Sequence, residues 1–370
     1  MDIAWIDATE ALEAWTAGWN GEPLAVDTEA DSFHRYREKV CLVQLSSGGR
    51  HALIDPLALV DLTPLAACFS DRAVPKILHG SDYDVRLIAR DFGLRISGLF
   101  DTMIAARLLG DAAIGLAALL EAHLGVVLDK SQQRADWARR PLSEAMRHYA
   151  VEDTRHLERL AALLADRLAA SGRTAWAREE CERLESVTWR DRRDDEPEPF
   201  RRTKGSRALD RSGLAVLREL WGWRDLIARK RDVPHFRVVR DEILVALAKT
   251  PPASESDLAR VAGFPRAWLS LPIAIEILEA SRAGLACAEN DRPSLPTDDR
   301  RRLAPNVAVR AARIRDARDR IARELALDPS VLASRSVVEE IARRTEAGED
   351  PWDVPELRRW QSELLRSEVT

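Results

Sequence analysis

Apolar residues gather in short runs over about the first 160 positions, and amphipathic stretches separate these runs. "IAWI", "PLAVDTE", "KVCLVQLSS", "RHALIDP" and "VPKILHG" have the length and β-branched content of strands. Spacing of three to four predicts helices near Thr9 to Trp19, Leu62 to Phe69 and Tyr83 to Phe92. Strands that alternate with helices read as an α/β domain. The first three strands are close in sequence, which predicts early antiparallel hairpins and a mixed sheet rather than a purely parallel one. After "FDTMIAARLL" the periodicity is almost wholly helical. "DRRDDEPEPFRRTKGS", Asp191 to Ser206, is charged, proline-bearing and aperiodic, and reads as a linker. Helical spacing returns over Ala208 to Arg231 and Val238 to Lys249. "KTPPASESD" breaks it and offers serines as an N-cap, and "ENDRPSLPTDDRR" breaks it again. The expected order is an α/β domain over 1–190, a linker over 191–206, and two small helical bundles over 207–290 and 291–370.

Totals narrow the class. A chain of 370 residues, 46% apolar and 32% charged, is long enough for two or three domains. Its longest apolar run, Ala112 to Leu120, falls short of the roughly 20 residues of a membrane helix, so no membrane association is expected. The start, "MDIAWIDATEAL", is acidic where a secretory signal is basic, and a cytoplasmic location is expected. Cys41, Cys68, Cys181 and Cys287 are scattered without a CxxC pair, which speaks against a zinc site and for reduced thiols. Neither GxGxxG nor GxxxxGK[ST] occurs, so the usual phosphate cradles are absent. The net charge is −5, yet basic residues outnumber acidic ones about two to one between Arg201 and Lys249. That excess is either a solvated helix face or a local nucleic-acid footprint.

Acids recur in three constrained places. In "LAVDTEADS" Asp27, Glu29 and Asp31 alternate along a strand and so share one face. Asp84, in "HGSDYDVRLI", stands where a strand gives way to a helix, and is either an N-cap or part of a site. In "HYAVEDTRHL" Tyr149 and Asp153 are four apart and share a helix face. Two carboxylates about 4 Å apart repel by roughly 4 kcal/mol at an effective dielectric near 20. A cluster of them calls for a cation, and oxygen ligands without cysteine or metal-spaced histidine suit Mg²⁺ or Mn²⁺. Two such ions can stabilise the attacking and leaving oxygens of a phosphoryl displacement.

"VDTE", "HGSDYD" and "YAVED", in this order, resemble the three motifs of the DEDD exonuclease superfamily in its tyrosine-bearing branch. "DKSQQRADWARRPLSEAMRHYA" is similar to the ribonuclease D family more narrowly. The resemblance implies a ribonuclease H-like fold and removal of nucleotides from RNA 3′ ends. It makes Asp27, Glu29, Asp84 and Asp153 ligands of two divalent metal ions, Mg²⁺ or Mn²⁺, and Tyr149 the group that orients the attacking water. Asp31 lies outside the motif, and Ala30 stands where the superfamily often has an aromatic residue. Gln44, His79, Trp137 and Arg140 also match and are expected at the substrate. Trp137 is either a base-stacking platform or core, Arg140 a phosphate clamp, and His79 either a site residue or a satisfied histidine at a sheet edge. Asp101 reads as a helix N-cap.

"LWGWRDLIARKRDVPHFRVVRDEILVALAKTPP" resembles an HRDC domain, with Trp223, Arg224, Ala228, Pro234, Asp241 and Leu244 in matching places. "ARELALDPSVLASRSVVEEIARR" resembles a second, divergent copy. By that resemblance Arg224, Arg229, Lys230, Arg231, Arg237 and Arg240 are expected phosphate contacts. The whole reads as a monomeric 3′-to-5′ exoribonuclease acting on RNA such as tRNA precursors with single-stranded 3′ ends. Two alternatives are a DNA 3′–5′ exonuclease of the same superfamily and a non-catalytic RNA-binding protein with a relic exonuclease fold.

Overall fold

The computed structural model describes residues 3–59, 61–189, 198–295 and 303–369. Its first unit begins with a sheet made of β1 (Ile3–Ile6), β2 (Leu24–Ala30), β3 (Val40–Ser47), β4 (Arg50–Ile54), β5 (Lys76–Leu78) and β6 (Leu99–Asp101). The spatial order is β1-β4-β3-β2-β5-β6. β2, β3 and β4 are antiparallel neighbours, while β1, β5 and β6 join in parallel. The sheet is mixed, as expected, although β1 enters by a crossover to β4 and not in a hairpin. Gly48 and Gly49, with φ of 55° and 79°, make the two-residue turn from β3 to β4, where both positions need the left-handed conformation.

Every residue of β3 is buried, because it runs through the middle of the sheet with both faces covered. Around it lie α1 (Thr9–Ala17), α2 (Leu65–Ser70), α3 (Asp82–Phe92), α4 (Thr102–Leu109), α5 (Leu116–Leu124), α6 (Glu144–Arg155), α7 (Leu157–Ala170) and α8 (Thr174–Glu185). One core contains Leu12, Val26, Val43, Leu45, Val85 and Ile88. A second packs Leu42 and Leu53 against Trp137, Met146, Ala150 and Val151. β2 explains itself residue by residue: Leu24, Ala25 and Val26 are buried, and Asp27 to Ala30 are only half buried. The strand is therefore anchored in the core at one end and delivers its acids at the other.

The second unit comprises Asp31–Glu38 and the described residues of 198–295. Its helices are α9 (Arg211–Arg231), α10 (His235–Val238), α11 (Asp241–Lys249), α12 (Glu255–Leu258) and α13 (Pro272–Leu285). Leu214, Leu217, Leu220, Leu244, Leu247, Phe264 and Ile277 form its core. Gly284 of α13 lies so close to α9 that a Cβ would sit 2.4 Å from the Val216 Cα. Ser254 caps α12 in a reciprocal box with Asp257, which fulfils the serine signal. Of the expected linker, residues 191–197 lie outside the described residues. Phe200 is buried in this unit's core, so the rest of that charged stretch is folded.

α14 (Pro305–Glu324), α15 (Pro329–Leu332), α16 (Arg335–Ala347) and α17 (Arg359–Val369) return to the first unit. Ile314, Ile321, Leu332, Ile341 and Trp360 share one apolar cluster with Ala105, Leu108, Leu160 and Leu164. Trp176 and Trp360 stack with centroids 4.6 Å apart. Arg173 donates to the carbonyls of Leu108 and Leu325, 2.7 Å each. Read from sequence, 291–370 is a bundle of its own; in the structure the described part of it covers the helical flank of the α/β domain. Among the described residues no helix is long and apolar enough to cross a membrane.

Candidate active site

Alternation along β2 turns Asp27 and Glu29 to the face covered by α6, since Asp27 pairs with Gln44 and Glu29 with Leu42, a residue of the α6 core. α6 begins at Ser143, whose hydroxyl accepts from the Met146 amide. It is pinned to β3 and β4 by a buried chain in which Ser46 Oγ lies 2.7 Å from Thr154 Oγ1 and 2.8 Å from His51 Nδ1. One turn apart on this helix, Tyr149 and Asp153 share a face, and the Asp153 charge is felt at the phenol. Carboxylate oxygens of Asp27, Glu29 and Asp153 lie within 4.8 Å of one another. Asp84 stands in the first turn of α3, buried, and its carboxylate accepts from the Thr28 hydroxyl. Ser81, not Asp84, holds the N-cap position of α3.

Burial and mutual repulsion dominate the electrostatics. Asp27 is raised well above the usual carboxylate range, first by burial and then by Asp84, Asp153 and Glu29. Glu29 is raised by burial and by Asp153 and Asp84. Burial pushes Asp84 up to about 6 against the opposing hydrogen bond from Thr28. Burial likewise pushes Asp153 up to about 7, against the opposing influence of the nearby Tyr149 hydroxyl. Tyr149 is itself raised, by burial and by the charges of Asp153, Glu29 and Asp27, so its proton stays on at neutral pH. Three converging carboxylates, oxygen donors only, fit a hard divalent cation.

Around the cluster the expected substrate residues divide. Gln44 is fully buried opposite Asp27, with no hydrogen-bond partner for either amide atom among the described residues. His79 Nδ1 lies 2.9 Å from Thr102 Oγ1, and Thr102 donates its own proton to the Leu78 carbonyl. His79 is therefore the donor of that pair, protonated at Nδ1, and burial lowers its pKa and keeps it neutral. Trp137 is not a base platform: it is 1% exposed, and its ring lies 6.0 Å from that of Tyr149. Arg140 is not a phosphate clamp either. Its guanidinium is committed to Asp55, with Nη2 2.6 Å from Oδ1, and to the carbonyls of Cys41 and Trp137. Asp101 caps α4, accepting from the amides of Met103 and Ile104, and it also holds Gly80 and Ser81 in the turn that leads to Asp84. Asp31 is buried, and its carbonyl accepts from the amides of His34 and Arg35, which starts a turn.

Among the expected phosphate contacts of the second unit, Arg224 is 4% exposed and paired with Asp241 at 2.6 Å, which removes it. Arg229 is engaged by Asp225 and by the Tyr36 hydroxyl. Lys230, Arg231, Arg237 and Arg240 are exposed. The sequence reading missed Thr28, Ser46 and Thr154, which hold ligand candidates in place. Thr28 had a signal, since it lies inside "VDTE"; the other two had none.

Residues 3–169 match the 3′–5′ exonuclease family, and residues 213–293 match the HRDC domain. Ribonuclease D of Granulibacter bethesdensis is 30% identical over 364 residues, covering 97% of this chain and 90% of that protein. Ribonuclease D of Pseudomonas paraeruginosa is 32% identical over 368 residues, covering 98% and 96%. Among solved structures, Escherichia coli RNase D, an exoribonuclease involved in structured RNA processing, superposes with a TM-score of 0.71 at 28% identity, covering 100% of this chain and 98% of that one. A Bifidobacterium adolescentis protein superposes with a TM-score of 0.79 at 26% identity, covering 99% and 95%. The likeness first seen in three short motifs thus extends along the whole polypeptide, and the chain belongs to the ribonuclease D family of 3′–5′ exoribonucleases.

Proposed function

We propose that the protein trims single-stranded 3′ ends of structured RNAs, tRNA precursors among them, and releases nucleoside 5′-monophosphates by two-metal hydrolysis in the cytoplasm. One observation carries this reading: carboxylate oxygens of Asp27, Glu29 and Asp153 converge within 4.8 Å, with Tyr149 one helical turn from Asp153. The E. coli relative's involvement in structured RNA processing supports the substrate class.

Asp27, Glu29 and Asp153, with Asp84 at the edge, would hold the ions. When bound, a pair of divalent cations supplies Lewis-acid charge at the phosphate and lowers the pKa of water into the neutral range. Tyr149 keeps its proton on Oη, so it acts as a hydrogen-bond donor and orienting group and not as a base. The Trp137 ring backs the phenol. The Thr28 hydroxyl, donating to Asp84, fixes that carboxylate.

Matched RNA and DNA oligonucleotides with 3′ overhangs, incubated with Mg²⁺ or Mn²⁺, test the proposal. Stepwise release of 5′-monophosphates from RNA is expected. Asp27→Asn should lower kcat by about 10³-fold or more, because several kcal/mol of charge stabilisation are lost. Preference for DNA, or RNA binding without hydrolysis under either ion, would overturn it.

A further inference from the structure

The loop that follows β2, Asp31–Glu38, belongs to the second unit and carries a phenylalanine there. Phe33 and Phe236 are 46% and 51% exposed, yet they meet edge to face with centroids 6.4 Å apart. Their sequence neighbours meet as well: Arg237 Nη2 lies 2.9 Å from His34 Nδ1. Two residues on, Tyr36 is buried and donates to Asp225 at 2.7 Å, and Asp225 also binds His235 and Arg229. The loop is thus anchored by Tyr36. About half of each phenyl ring stays in water, and apolar area so left forgoes about 25 cal/mol per Å².

Beside the rings is an open depression of about 550 Å³, whose lining includes Lys204, Phe236 and Arg240 and also the acids Asp241, paired with Arg224, and Glu242. Arg240 makes no ion pair among the described residues, and Lys204 meets Glu242 only loosely, at 3.9 Å with both side chains exposed. Exposed aromatic rings beside cations that lack a close ion pair are the chemistry that grips single strands, because every base has a π-face and every linkage a negative charge. Bases in a duplex are already stacked on each other and cannot use such a step. Two rings are also far less than the roughly 800 Å² per partner of a stable protein interface.

Resting on the reading that RNA is the substrate, we infer that Phe33 and Phe236 form a second RNA site in the HRDC unit, where unpaired bases stack while Arg240 and Lys204 take the neighbouring phosphates.

The test uses the full chain carrying Asp27→Asn, in EDTA, with single-stranded RNA containing 2-aminopurine. Binding should quench the fluorophore. Phe33→Leu and Phe236→Leu keep the apolar clasp but lose the π-face. Each should weaken single-strand binding about 5- to 50-fold, remove the quenching and leave blunt duplex RNA unaffected. Phe236→Trp should preserve both signals, and Arg240→Gln should lower the salt slope by about one. Leucine variants that bind within twofold of the parent would overturn the inference and leave the patch to a protein partner. Equal loss for single strand and duplex would overturn it too, reducing the pair to a loop anchor. RNA hydrolysis by the unmutated chain in Mg²⁺ is measured separately, so stacking without hydrolysis unseats only the proposed function, and hydrolysis without stacking unseats only the second site.

Discussion

Asp84 and Asp153 hold their protons to about 6 and about 7, above the roughly 4 of a free carboxyl, because burial disfavours their charge. The native state therefore binds more protons than the unfolded chain between about pH 4 and 7, and the sign of linkage follows: without metal, this site's stability is fully present below pH 4 and lost as pH rises through 6 and 7. Each raised unit is worth about 1.4 kcal/mol. Melting curves in EDTA should show a falling Tm from pH 5 to 8, and Mg²⁺ should restore most at the alkaline end. Asp153→Asn should be more stable than the parent in EDTA at pH 8 and gain little from Mg²⁺. Thr28→Val, which removes the hydroxyl from Asp84, should raise the Mg²⁺ concentration for half-maximal thermal shift about tenfold, and Thr28→Ser should largely retain the parental value. Motif spacing made the convergence of Asp27, Glu29 and Asp153 legible in advance, because three acids in constrained places are written in residue type. The fate of Trp137 and Arg140 was not, because it depends on Asp55 and on the α6 core, which are remote in sequence.

Five of the six strands were legible as apolar runs, and helix limits fell within a few residues of those expected. β6 was not, since Leu99–Asp101 runs straight into the cap of α4 and its residues read as the approach to that helix. Contact between elements is also invisible to periodicity. Nothing in α13 alone reveals that Gly284 faces the backbone of α9, with the Val216 Cα 2.4 Å from any added Cβ. Gly284→Ala would gain helix propensity of about 1 kcal/mol in an exposed helix. Here it should instead destabilise by about 1–3 kcal/mol through overpacking, read as a lower midpoint in urea. RNA hydrolysis at temperatures well below the midpoint should persist, because Gly284 lies in the second unit's core and not at the carboxylates.

Repetition of an HRDC-like signal predicted a second small helical domain over 291–370, but resemblance reports how a segment folds and not what it packs against. Trp360 shows the difference: it is 3% exposed, stacked on Trp176 and bonded through Nε1 to Glu180. Trp360→Ala should cost about 3–5 kcal/mol and lower the Tm of hydrolytic activity together with that of the fold, measured by parallel inactivation and melting curves. The shared cluster also bears on biosynthesis. α4, α5, α7 and α8 leave the ribosome with their outer flank bare, and α14 follows α8 by about 120 residues. A nascent or prematurely ended product would display that greasy surface to chaperones and proteases, so the unit bearing the carboxylates closes its core only once α14 to α17 have been made.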